Sequence, residues 1–368
     1  MKKFAFILFI LLSAACERQL NVDFSNEKPL IVMHGVVEPD KPISVSVGKS
    51  FSILDTDSNA AYLKDAAVEL HINGKFVEKM KLDRIDSTAS YGSRKGTSHF
   101  VSTTNADIGN RIRIEASAPG LETAWAETVI PAPPTIGKVD TTSYFTMINT
   151  EGSYDPFGYY NQYYEYEEIT REPFLRMLRL QIEVERAKND ADQYYFLNLS
   201  MVMPPNSSYP RRGLFTGTKD DPIFASDPKN SIFDALFEKN YSYSGSVFFS
   251  DKGFKNNTYT LNVSTYGFYE VNIEYNEDED GIPTGYKSHK VENLPIEIRI
   301  SSLSPDWHAY LKSKEEGSYD TDGMGFISEP KTTHTNVHNG IGFLGAMSHA
   351  YKQIDTPPFT GKENEIPQ

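Results

Sequence analysis

Between residues 30 and 130, apolar and polar positions alternate with a period of two, in short runs separated by turn-forming residues. That period puts every second side chain on one face, as in a half-buried strand. Residues 30–37 and 43–47 make the first two runs. In residues 67–72, Val68, Leu70 and Ile72 share a face, and Asn73-Gly74 follows with the two positive-φ residues of a type I′ hairpin. Residues 76–82 read as the returning strand, and 98–103, 111–114 and 124–130 complete the series. About seven strands at this spacing suit an immunoglobulin-like sandwich. Pro131-Ala132-Pro133-Pro134 ends it, because proline cannot donate to a ladder.

The second region is also strand-rich. In residues 177–186, Leu178, Leu180, Ile182 and Val184 take alternate positions; 194–202, 246–249, 258–263, 269–275 and 296–300 read as further strands. One helix is predicted over residues 304–312. There Ser304 caps, Pro305 suits the first turn and Asp306 complements the positive helix end. A shorter helix is predicted over 231–238. Connections at 150–170 and 203–230 are long and rich in Tyr, Asn, Pro and Ser, the kind of segment that carries binding surfaces. The expected fold is therefore mainly β. An N-terminal immunoglobulin-like sandwich (29–131) precedes a larger β-rich domain (135–355) with one or two short helices and long aromatic loops, then a polar tail (356–368).

The amino terminus adds a location. MKKFAFILFILLSAAC has two lysines, an apolar run too short to span a bilayer, and small residues ending at Cys16. Residues 1–15 read as a secretory leader. Cys16 is the single cysteine of 368 residues, so no internal disulfide can form in an exported chain. Ser13-Ala14-Ala15-Cys16 resembles a lipobox, which implies cleavage before Cys16 and acylation of its sulfur and new amine. Each buried methylene contributes about 0.8 kcal/mol, so several acyl chains anchor stably. Residues 16–28 are polar and read as a flexible tether. Loss of Lys2 and Lys3 moves the formal charge from −14 to −16. A chain this acidic is a poor nucleic-acid binder, since that affinity is carried by Lys and Arg on phosphates. Anionic lipid head groups should also repel its body.

Gly340-Ile341-Gly342-Phe343-Leu344-Gly345 fits the G-x-G-x-x-G spacing of a dinucleotide site. A βαβ unit cannot be completed in the 23 residues that follow, among them Pro357, Pro358 and Pro367. No nucleotide is expected; the glycines read as a closing strand that permits close backbone approach. Residues 336–345 (NVHNGIGFLG) resemble the terminal motif of domain-of-unknown-function family 4249, lipoproteins of Bacteroidota. Residues 31–35 (IVMHG), 45–50 (VSVGKS), 65–68 (DAAV), the SPDWHAYLKS helix and Ser328-Glu329-Pro330 match further motifs in order. Where the family has Asn-Pro-Phe before its last strand, this chain has Gly325-Phe326-Ile327. The family has no established catalytic residues. Its genes often neighbour TonB-dependent transporters, so the resemblance implies a role in outer-membrane nutrient capture.

Three groups of residues carry candidate chemistry. His334 and His338 have near-zincin spacing, but Thr335-Asn336-Val337 lacks the catalytic Glu of H-E-x-x-H, so packed or solvated histidines are expected. Asn276, Asp278, Asp280 and Gly281 match positions 1, 3, 5 and 6 of a calcium loop, while Lys287 occupies position 12, where a bidentate Glu is needed. A solvated hairpin tip is the alternative, and calcium is kept as a weak candidate, the one cofactor considered. Tyr154, Tyr159, Tyr160, Tyr163, Tyr164 and Tyr166 offer large faces with polar tips, suited to a ligand or partner surface, or to an aromatic hairpin covered by its own fold. Trp125 and Trp307 are the two tryptophans, few for a carbohydrate platform. No G-x-S-x-G elbow is present. The expected function is non-enzymatic: a lipid-anchored outer-membrane accessory or binding protein, held through acylated Cys16 and partnering a TonB-dependent transporter. A surface glycan- or peptide-processing enzyme and a structural or adhesion protein are the alternatives.

Overall fold

The period-two runs do become strands. The computed structural model describes residues 28–50, 61–86, 96–147, 174–187, 193–205, 210–214, 216–218, 221–225, 247–266, 273–277, 283–288, 294–318 and 333–356. The first region contributes β1 (Ile31–Val37), β2 (Pro42–Lys49), β3 (Ala67–Ile72), β4 (Lys75–Lys79), β5 (Lys81–Asp86), β6 (Thr97–Asn105), β7 (Arg111–Ser117) and β8 (Ala124–Val129). Asn73 and Gly74 turn β3 into β4 with φ of 52° and 77°, as a type I′ turn requires. The return predicted over 76–82 is two strands rather than one. Apolar residues at 76, 77, 80 and 82 break strict alternation, and the chain changes sheet at buried Met80, so that β4 pairs β3 while β5 pairs β6.

The second region adds β9 (Thr135–Met147), β10 (Phe174–Glu185), β11 (Tyr194–Val202), β12 (Arg211–Leu214), β13 (Thr216–Gly217), the one-turn helix α1 (Pro222–Ala225), β14 (Val247–Ser250) and β15 (Thr258–Tyr266). The hairpin of β16 (Ile273–Glu277) and β17 (Pro283–Ser288), then β18 (Ile296–Leu303), helix α2 (Pro305–Ser318) and β19 (Gly340–Ile354) complete it. The helix predicted over 231–238 lies outside the described residues.

Two sandwiches result, and they share a sheet. In the first, β4-β3-β7-β8 packs on β1, β2, β6 and β5 through Ile31, Met33, Val45, Val47, Leu70, Ile112 and Ile114. In the second, β13-β15-β10-β9 packs on β11 and β18 through Leu178, Leu180, Ile182, Leu197, Leu199, Leu261, Ile298 and Ile300. Each such buried side chain contributes about 1.5–3 kcal/mol. The sheet common to both has nine strands, in the order β12-β11-β18-β19-β1-β2-β6-β5 with β14 also on β11.

Strand β19 makes the connection. Its first half runs parallel to β1, from Ile31↔Gly340 to Val37↔Ala346, and its second half runs antiparallel to β18, from Leu303↔Met347 to Ile296↔Ile354. The glycines of the G-x-G-x-x-G stretch belong to the first half. A Cβ on Gly342, whose φ is 111°, would lie 2.0 Å from the Met33 carbonyl oxygen. One on Gly340 would lie 2.6 Å from the Ile31 carbonyl oxygen, and one on Gly345 would lie 2.6 Å from Trp307 Cβ. Their purpose is close packing of strand on strand and helix on strand.

Candidate functional site: the outer face of the shared sheet

The face of the shared sheet turned away from both cores has a covered end and an open end. Helix α2 makes the covered end, and its start is tied to β19. Ser304 N–H donates to Ala346 O at 2.8 Å, and Ser304 Oγ accepts from Ala346 N–H at 2.9 Å and, more loosely, from Trp307 N–H at 3.4 Å. The predicted cap therefore also holds the helix to the strand. Beneath α2, Trp307 stacks on Phe343 at 4.8 Å and Tyr310 lies 3.8 Å from the same ring. His34 of β1 reaches Phe343 at 5.2 Å. Loss of water around that ring, with the Lys314 ammonium nearby, lowers the His34 pKa. On the other side of the helix His308 stacks on Tyr194, 4.0 Å apart and 10° from parallel.

Asn336 closes the remaining edge of β19. Its side-chain amide donates to Leu344 O at 3.0 Å and accepts from Leu344 N–H at 2.9 Å, and it also donates to Glu127 O at 3.2 Å. One side chain thus substitutes for a neighbouring strand.

The open end is set by register. Ser301 of β18 stands opposite His349 of β19, and Arg299 stands opposite Tyr351. His349 Nδ1 is 2.7 Å from Ser301 Oγ, and its Nε2 is 3.2 Å from Glu38 Oε2, in the turn between β1 and β2. Glu38 also pairs with Lys41. Desolvation lowers the His349 pKa, aided by Arg299 and Lys41 and opposed by Glu38. The same Glu38 carboxyl is held below its ordinary value by Lys41 and His349, against the opposing effect of its own burial. Nearby, Arg211 grips Glu297 with two bonds, Nε to Oε1 at 2.8 Å and Nη2 to Oε2 at 2.7 Å. Arg299 Nη2 donates to Asn198 Oδ1 at 2.7 Å.

Serine, histidine and a carboxylate in one chain resemble a hydrolase triad, but the surroundings give Ser301 another task. It lies inside a central strand at 1% exposure, where no substrate carbonyl can reach Oγ. It faces β11 on one side and β19 on the other, so its backbone belongs to a sheet ladder, not to an oxyanion hole. The Glu38–His349–Ser301 chain instead clasps the first sandwich's β1–β2 turn to the second sandwich's β18. Sequence reading missed it because its members are 48 and 311 residues apart, brought together by the register of β18 and β19 alone.

The histidines at near-zincin spacing diverge. His334 Nε2 lies 3.1 Å from Asp306 Oδ1 at the start of α2, whereas His338 stacks on Trp125 at 3.9 Å. Arg113 lies over the same indole, 4.0 Å from its centre, so Trp125 already has partners, as Trp307 does. Among the described residues no three His, Cys, Asp or Glu side chains are grouped to hold a metal ion, and no helix is long and apolar enough to cross a membrane.

Several predicted site residues lie outside the described residues: Cys16, all six tyrosines from Tyr154 to Tyr166, Asp278 and Asp280. The frames around them are described. Met147 pairs with Phe174, so residues 148–173 connect the paired ends of the β9–β10 hairpin. Asn276 is in β16 opposite Gly285, and Lys287 is in β17 opposite Glu274, so the acidic segment connects two antiparallel strands.

The sequence profile described as "Domain of unknown function (DUF4249)" matches residues 17–353, and the chain belongs to that family. No curated protein matches the chain.

Proposed function

We propose that this member of the DUF4249 family is a lipid-anchored outer-membrane binding protein, serving as accessory to a TonB-dependent transporter in nutrient capture. The observation that carries the reading is Cys16, the single cysteine, placed at the end of a short apolar leader. Two features support it further. The tether leads within a few residues into β1, a strand of the shared sheet, so an anchor there would hold both sandwiches. The tyrosine-rich segment 148–173 joins the long strands β9 and β10, a stiff support for a recognition surface. The Bacteroidota source, the lipid, the transporter and the outer-membrane location belong to this proposal.

Mass spectrometry of the mature amino terminus tests the anchor. A diacylglyceryl-modified Cys16 and partition into detergent are expected, both lost in Cys16→Ser. An unmodified thiol on a freely diffusing protein overturns the reading. Purification of the native protein in mild detergent tests the partner: a co-purifying transporter is expected, and recovery of the chain alone counts against that part.

A further inference from the structure

Five of the described arginines pair with carboxylates. Arg84, Arg111, Arg113, Arg186 and Arg211 each reach an Asp or Glu. Arg299, on the outer face of β18, does not: among the described residues its guanidinium bonds only the neutral Asn198, and its Nε is buried with no partner. The acid two residues away on the same face, Glu297, has both oxygens taken by Arg211. Glu38, the other described acid at this end, is occupied by Lys41 and His349. Among the described residues, then, no carboxylate pairs with Arg299, and part of its guanidinium is unused. With Nε closed off, the Nη1–Nη2 end of this guanidinium is the edge suited to a planar carboxylate, which accepts two parallel N–H bonds. Its cross-strand partner Tyr351 is 57% exposed, an aromatic face beside the charge.

We propose that the open end of the shared sheet binds a carboxylate, with Arg299 as its charge partner and Tyr351 flanking it. The site takes a monoanion rather than a phosphate, because the other cations next to it, Arg211 and Lys41, are already neutralised by Glu297 and Glu38. At physiological salt the screening length is about 8 Å, so the charge beside the ligand outweighs the acidity of the whole chain. The proposal is independent of the lipid anchor and of any transporter.

Calorimetric titration of the full-length protein in detergent with N-acetylglutamate α-amide, which carries one carboxylate, tests it, with the neutral γ-methyl ester and inorganic phosphate as controls. Binding of the acid alone is expected, weakening as salt rises. Arg299→Gln should weaken it by about tenfold or more, the loss typical of a charge-assisted hydrogen bond. Arg211→Gln should weaken it too, by freeing Glu297 to compete for Arg299. Tyr351→Ala should weaken it by a smaller factor. An N-acetylated, amidated glutamate pentapeptide separates the sources: tighter binding than the monomer assigns an acidic peptide, equal binding a small acid. No heat with the wild type, equal binding by wild type and Arg299→Gln, or phosphate binding as tightly as the acid overturns the proposal. If Arg299→Gln fails to fold by circular dichroism, unchanged binding by both Arg211→Gln and Tyr351→Ala overturns it instead.

Discussion

Along β19, residues 340–346 and 347–354 continue one strand but keep different company. The first stretch lies beside β1 and under α2, with glycines wherever a neighbour approaches most closely and Asn336 and Ser304 closing its edge. The second lies beside β18 and carries His349, Tyr351 and Lys352, which face other polar groups or solvent. Steric fit governs the first half, because nothing larger than hydrogen can occupy those positions. Hydrogen bonding and charge govern the second, where side chains have room to meet a partner. Strength of assembly and capacity for chemistry are therefore separated along a single strand.

Substitutions can break that contrast, and the largest effect belongs to the sterically governed half. Gly342→Val puts a branched side chain at φ 111° and against the Met33 carbonyl, and should cost at least about 3 kcal/mol. Denaturant unfolding measures this, and a loss below 1 kcal/mol would remove close packing as the reason for the glycine. Asn336→Ala leaves the Leu344 N–H and C=O without their partner and should cost about 2 kcal/mol in the same measurement.

In the polar half the expected signature is pH dependence. The His349 pKa is lowered in the folded chain, so the unfolded chain binds more protons as acidity rises. Its contribution is present above the ordinary histidine value of about 6.5 and is lost as pH falls from there through the lower folded value. His34 and His99 are lowered as well, so His349→Gln should reduce the acid-side slope of stability without abolishing it. An unchanged slope would show that the clasp does not couple to protons. The smallest effect is expected away from β19. Phe76, 54% exposed on the outer strand β4, should tolerate Ser within about 0.5 kcal/mol.

The sequence revealed what depends on neighbours in the chain. Alternation located β3 and β11 to the residue, Asn73-Gly74 marked its turn, and Ser304-Pro305-Asp306 marked the start of α2. It also indicated that the terminal glycines serve a closing strand, because a βαβ unit could not fit after them. Alternation does not say which strand lies beside which. The shared sheet, the switch of β19 from β1 to β18, and the meeting of Glu38, His349 and Ser301 all arise from pairings between distant segments. Arg299 illustrates the same limit: no local pattern shows that Arg211 will occupy its nearest carboxylate. The change of sheet at Met80 was signalled only by an interrupted alternation, which a single returning strand also fits.

Through β19 the two cores should form one cooperative unit, so that whatever holds the first sandwich also positions the second. Native-state hydrogen exchange compares buried ladder amides directly, Val45 in β2 with Leu180 in β10. Both are expected to exchange through one global opening, with the same free energy and the same denaturant dependence. If Leu180 exchanged through a lower-energy opening while Val45 stayed protected, or the reverse, the sandwiches would be separate units rather than one.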